Sequence, residues 1–204
     1  MNAQSTLSRF DYEDFLVYLY FGATPNSDHL RCCIDRAYLD FSRTLHGMGK
    51  HPASQALRQQ ISGAIRTIFA DVQSAPAALS HQAAFDTWHQ ATCERLAELF
   101  RQQGYQRLFV GQAQKWVNMT FKYIFTMGEQ RLPGYQPLYS MCHAPLDSIL
   151  VDKLQPYGAP PLLHRWSRLD NYGDYLAYQL WIRRHFALVP LDVEFKLWLG
   201  QPIE

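Results

Sequence analysis

Between Gln112 and Met127 the sequence sets Trp116, Val117, Met119, Phe121, Tyr123, Ile124 and Phe125 around most of the circumference of a helix. A helix that is apolar nearly all round must be buried, so the rest of the chain has to wrap around it. Three residues interrupt the apolar surface. Lys115, Asn118 and Lys122 fall at i, i+3 and i+7 and form one polar stripe. Polar groups on a buried helix need partners or a wet cleft; an edge turned to solvent is the other way to satisfy them.

What wraps this helix is helical too. Leu30, Cys33, Ile34, Ala37, Tyr38, Phe41 and Leu45 make an apolar stripe with helical spacing, entered at Ser27 or Asp28 as N-cap. Further helices are expected over Leu7 to Phe21, Ser54 to Val72 and His81 to Gln102, with Ser74 to Ser80 as a linker. Beyond the central helix, Gly128 to Tyr139 reads as a loop. Short helices follow at Asp147 or Ser148 to Leu154, Asn171 to His185 and Pro190 to Leu199. No stretch alternates as a strand would, and there is no internal repeat. The expectation is an all-α fold of about eight helices. At 204 residues it forms a single domain, 1–204, or two small lobes sharing a cleft.

Net charge is +1, which does not advertise a polyanionic partner. Basic residues do cluster locally, over Arg101 to Arg131 and again at His164, Arg165, Arg168, Arg183, Arg184 and His185. Ordinary solvated surface accounts for both clusters, and so does a phosphate-binding strip. Cys32, Cys33, Cys93 and Cys142 have no paired spacing and read as reduced thiols of a cytoplasmic protein. The longest apolar run, Phe15 to Ala23, is too short to span a membrane.

Two residues carry the sharpest chemistry. Lys115, near a helix start and beside Trp116, has the setting of an amine held in its nucleophilic form, able to form a Schiff base with a sugar. Asp147 in A-P-L-D-S is an ordinary N-cap, and its carboxylate could also stabilise positive charge developing on that sugar. Metal sites look poor: His81, Asp86 and His89 share a face only loosely, and Cys142–His143 lacks a spaced partner set. No metal and no cofactor is expected. Tyr172, Tyr175 and Tyr178 suit a core or a stacking surface.

The segment from Arg107 to Leu154 resembles helix-hairpin-helix DNA glycosylases. V-G-Q-A-Q-K is similar to the hairpin written P-G-x-G-x-K, with Lys115 at the catalytic lysine, and A-P-L-D-S to the V-P-x-D that carries the catalytic aspartate, here Asp147. The interval of 147 − 115 = 32 residues suits the archaeal 8-oxoguanine DNA glycosylase (N-glycosylase/DNA lyase) branch. That branch also has a second lysine, matched by Lys122, and an acidic residue and tryptophan four apart, matched by Glu194 and Trp198. Its early Y-W-x-E-F-S segment is matched by Tyr38 to Ser42.

The resemblance implies a monomeric enzyme that flips a base out of DNA and excises it, with abasic-site lyase chemistry as its fuller form. Lys115 and Asp147 would be catalytic; Lys122, Glu194, Trp198 and Tyr38 would hold the base. The hairpin, Gly111, Gln112, Ala113 and Gln114 with Arg107, would hold the DNA backbone. Departures are Ala113 for the second hairpin glycine, Trp116 for a small residue, Glu194 for aspartate and Leu39 for a pocket tryptophan. The substrate is then an oxidised purine or a hypermodified base of phage DNA. The alternatives are a module that reads modified bases without cutting and a helical interaction protein.

Overall fold

The computed structural model describes residues 7–50, 54–105 and 108–203. Among these residues every α or β element is helical: α1 (Arg9–Phe21), α2 (His29–Phe41), α3 (Ser54–Ser74), α4 (Gln82–Gln102), α5 (Val110–Met127), α6 (Ser148–Leu154), α7 (Tyr172–His185) and α8 (Pro190–Trp198). Local chemistry sets their ends. Ser8 and Asp11 form a capping box on α1, and Gly22 closes it at φ 65° in the left-handed region. Asp28, His81, Asp147 and Asn171 cap α2, α4, α6 and α7 with their side chains. The expected linker and loop are tightened by 3₁₀ turns at Pro76–Leu79 and Gln136–Met141. The apolar stripe that runs to Leu45 outlasts its helix. The chain passes from α2 into a 3₁₀ turn at Ser42–Thr44, where the Thr44 hydroxyl donates to Phe41 O at 2.7 Å, and Leu45 stays buried.

α5 is the central helix, with fourteen of its eighteen residues buried. Trp116 packs among Tyr38, Phe41 and Phe100, and its indole N–H donates to Ile34 O at 3.0 Å, tying α5 to α2. Phe121 fills the next layer against Phe69, Phe85 and Trp88 from α3 and α4. The aromatic rings supply large apolar area and fix the helix rotation. That rotation is what decides where Lys115 and Lys122 point. α1 has no buried residue and packs on the core through half-buried Val17 and Phe21; the Asp14–Arg131 ion pair and Tyr20, whose hydroxyl meets that of Tyr123 at 3.0 Å, hold it there.

Candidate active site

Lys115 Nζ and Asp147 Oδ2 lie 2.6 Å apart, the lysine side chain only 4% exposed. The other oxygen of the same carboxylate, Oδ1, accepts from the Leu150 N–H at 2.8 Å. One aspartate therefore caps α6 and pairs with the lysine at once. A loop residue reaches this position because its chain is gripped on both sides. Gln114 accepts from the Leu146 N–H at 3.2 Å and donates to Leu146 O at 2.8 Å. Gln179, from α7, treats Ala144 alike, at 3.0 and 2.9 Å. Two buried carboxamides thus pair with alternate residues of an extended segment as a neighbouring strand would.

The Lys115–Asp147 pair lines a cleft of about 490 Å³ between α1, α2, α5, α6 and α8. Lys122, one stripe position further along α5, also faces it and binds Glu194 Oε1 at 2.6 Å. Glu194 is 1% exposed, and its second oxygen is buried with no hydrogen-bond partner among the described residues. Burial pushes the Glu194 carboxyl above its ordinary range, with Lys122 pulling the other way. Trp198 stands at the mouth, 48% exposed, with the Lys122 ammonium 5.4 Å from its ring. The structure thus brings Lys115, Asp147, Lys122, Glu194 and Trp198 to one cleft.

Tyr38 does not join them. It is buried in the core against Phe41 and Trp116, because it belongs to the inward stripe of α2. Its helix does contribute to the cleft, through Arg36, Leu39 and Asp40 on the next face around, with Arg43 following from the 3₁₀ turn, and Leu39 is the position that the early segment marked. Tyr20 and Tyr123 complete that wall, with the Tyr123 hydroxyl donating to Asp40 at 2.6 Å. No motif in the sequence points to Arg36, Asp40, Arg43 or Tyr20 of this wall. The spacing of 36 and 40 on one helix face was the available signal.

The hairpin differs from expectation. α5 begins at Val110, two residues before Gln112, so Lys115 sits in the second turn, beyond the strongest part of the terminal dipole. The amides expected to hold a phosphate are taken within the chain: Gly111 N–H donates to Leu169 O at 2.8 Å, and those of Gln112 and Ala113 to Phe109 O at 3.0 Å. Gly111, Gln112, Ala113 and Gln114 are all buried. Gln112 closes the helix start on Phe109 N–H and reaches Thr44, and Gln114 is the clamp described above. Arg107 lies outside the described residues.

Gly111 is there for close approach. A Cβ on it would lie 1.7 Å from Trp166 O and 2.8 Å from Trp166 C. Alanine favours a helix over glycine by about 1 kcal/mol, yet a backbone atom must move to admit this methyl. We expect Gly111→Ala to destabilise the protein by about 1–3 kcal/mol. Thermal denaturation checks the sign, and a variant as stable as the parent would rule out the close contact.

Behind the cleft runs a buried polar chain. Asn118 leaves the lysine stripe and turns inward, donating to Gln114 at 2.9 Å and Tyr175 at 2.7 Å and meeting His89 Nε2 at 2.9 Å. His143 bridges the Tyr175 hydroxyl and Asp86, both at 2.8 Å. Burial drives both imidazoles below their ordinary range, with Asp86 pulling His143 back up. Tyr172, Tyr175 and Tyr178 are core residues. The late basic cluster divides: Arg183 donates to the carbonyls of Ser140, Met141 and Cys142, while His164 and Arg165 line a groove. No helix among the described residues is long and apolar enough to cross a membrane. Comparison with known proteins gives no match to a family model, to a curated protein or to a solved structure.

Proposed function

We propose that the protein is a DNA glycosylase of the helix-hairpin-helix type, which flips out a damaged or modified base and excises it. The observation that carries this reading is the nearly buried Lys115–Asp147 pair in a cleft that also holds an acceptor and an open indole. The Lys115 amine attacks C1′ of the nucleotide. The glycosidic bond breaks, and the base leaves with its electron pair and gains a proton. Opening of the sugar at O4′ then yields the protonated imine from which strand cleavage proceeds. Asp147 takes the proton lost by the amine and faces the positive charge that builds on the sugar. The flipped base stacks on Trp198, and Glu194 and Lys122 present an acceptor and a donor to its edge.

Two candidate substrates follow from the resemblance, an oxidised purine and a hypermodified base of phage DNA. A cleft of about 490 Å³ is in the range that holds a drug-sized ligand, more than one flat base fills. Its far wall is polar, with Arg36, Asp40, Tyr20 and Tyr123. Both features favour the enlarged base, and with it a role in defence against phage. We read it as a monomer that acts in the cytoplasm, where the four free thiols stay reduced.

The test is incubation with duplexes carrying oxidised, alkylated, deaminated or glucosylated bases, and with phage genomic DNA, followed by alkali and a denaturing gel. Breaks at the modified base support the reading. Bound but intact DNA points to a module that reads the base without excising it, and the absence of both overturns the reading. A second measurement addresses the pocket. Trp198 is half exposed, so Trp198→Ala should keep its melting temperature while losing excision by roughly 5- to 150-fold, the equivalent of about 1–3 kcal/mol of stacking. A fall in stability in step with activity would make Trp198 structural.

A further inference from the structure

A second cavity, of about 730 Å³, opens beside the cleft, and Arg43 lines both. α6 forms the partition, with Ser148 on the groove side and Ile149 on the cleft side. Arg43 and His46 come from the turn after α2, and His164 and Arg165 from the segment that runs back to dock on Gly111. Asp152 is the one acidic residue among those lining the groove. Elsewhere, Arg31, Arg66 and Arg131 are each paired with an aspartate, whereas Arg43 and Arg165 form no ion pair among the described residues. The lining also holds apolar Leu162 and Trp166, and Leu163 stands 84% exposed in it.

We propose that this groove is the DNA track: it takes the phosphodiester backbone of the strand flanking the base held in the cleft. The proposal rests on the glycosylase reading. Three observations select a nucleic-acid strand as occupant. The groove adjoins the cleft across α6 and shares Arg43 with it, so a strand whose flipped base enters the cleft has its flanking backbone beside the groove. Arg43 and Arg165 have no ion-pair partner among the described residues, and an array of phosphates supplies the counter-charge. The apolar side chains in its lining, Trp166 among them, suit the face of an adjacent base. The hairpin amides that the sequence suggests for the same task are already bonded within the chain, and the segment bonded to Gly111 is the one that carries Arg165 toward the groove. The phosphate contact is thereby shifted from the hairpin backbone to side chains laid against it.

The experiment measures affinity for a fluorescent duplex without any modified base, from about 50 to 200 mM salt. The proteins compared are the parent, Arg165→Gln, and Arg9→Gln as a control of equal charge change on α1. Arg165 is exposed, so folding should be unchanged, as a melting curve verifies. Arg165→Gln should weaken binding about 5- to 10-fold for every sequence tried and lower the slope of log affinity against log salt by about 1. Arg9→Gln should leave both unchanged. If the parent binds but Arg165→Gln keeps its affinity and slope, or Arg9→Gln falls equally, the groove is not the track and the glycosylase reading stands. If the parent neither binds nor cuts any DNA, the glycosylase reading itself falls.

Discussion

Asp147→Asn is expected, on the proposed glycosylase chemistry, to lower base release by about two orders of magnitude or more, because it would remove the charge facing the developing cation. Asparagine remains a good cap, so α6 should persist. The burial of Lys115 adds a cost that the sequence does not reveal: its ammonium loses its carboxylate while 4% exposed. We expect the variant to be less stable by about 1–3 kcal/mol. Lys115→Gln should abolish the adduct that borohydride traps between protein and DNA, and the double variant Lys115→Gln/Asp147→Asn should regain stability while staying inactive. Full activity in a folded Asp147→Asn protein would reduce Asp147 to a cap. Trapping that persists in Lys115→Gln would exclude Lys115 as the nucleophile.

Lys122→Met should cost about 3–5 kcal/mol at neutral pH, since it strands a buried carboxylate. The pH dependence identifies the cause. Burial already raises the Glu194 carboxyl above its ordinary value of 4.5, and removing Lys122 takes away the largest opposing influence, so it rises further. A carboxyl raised by folding contributes stability below its unfolded value and loses it as pH climbs through the folded one. The deficit of Lys122→Met should therefore be small at about pH 4.5 and widen upward. Adding Glu194→Gln should flatten it. Denaturant unfolding across that range is the measurement, and a deficit equal at both ends would show that packing, not charge, holds the pair.

Much of the fold is legible because its signals are local. A cap such as Asp28 or Asn171 acts on an amide three residues away, and the stripe from Leu30 to Phe41 repeats within one helix. The apolar girth of α5 likewise announces its burial. The candidate site is legible only in part. Lys115 and Asp147 are 32 residues apart, and resemblance rather than spacing linked them. Tyr38 shows the limit of reading a helix by residue type: two positions on, Asp40 lies in the cleft, while Tyr38 lies in the core. Gly111 invites reading as a turn, yet its missing side chain answers to Trp166, which no local pattern connects to it. Gln114, Gln179 and Asn118 look like surface residues by type and are buried because each finds its partners across the fold.

The paired grip of Gln114 and Gln179 on the segment before Asp147 bears on how this protein breathes. Loops at functional sites ordinarily belong to the least stable part of a structure and open on their own. Here the amides of Ala144 and Leu146 are bound by side chains rooted in α7 and α5, so opening the segment breaks buried hydrogen bonds to both helices. The loop that carries the aspartate is thus tied by four hydrogen bonds to two helices of the core. The side chains of the cleft with the most freedom are those outside this network, the half-exposed ring of Trp198 and Tyr20 on α1, and the lysine and aspartate are set apart from them by their tie to α5 and α6.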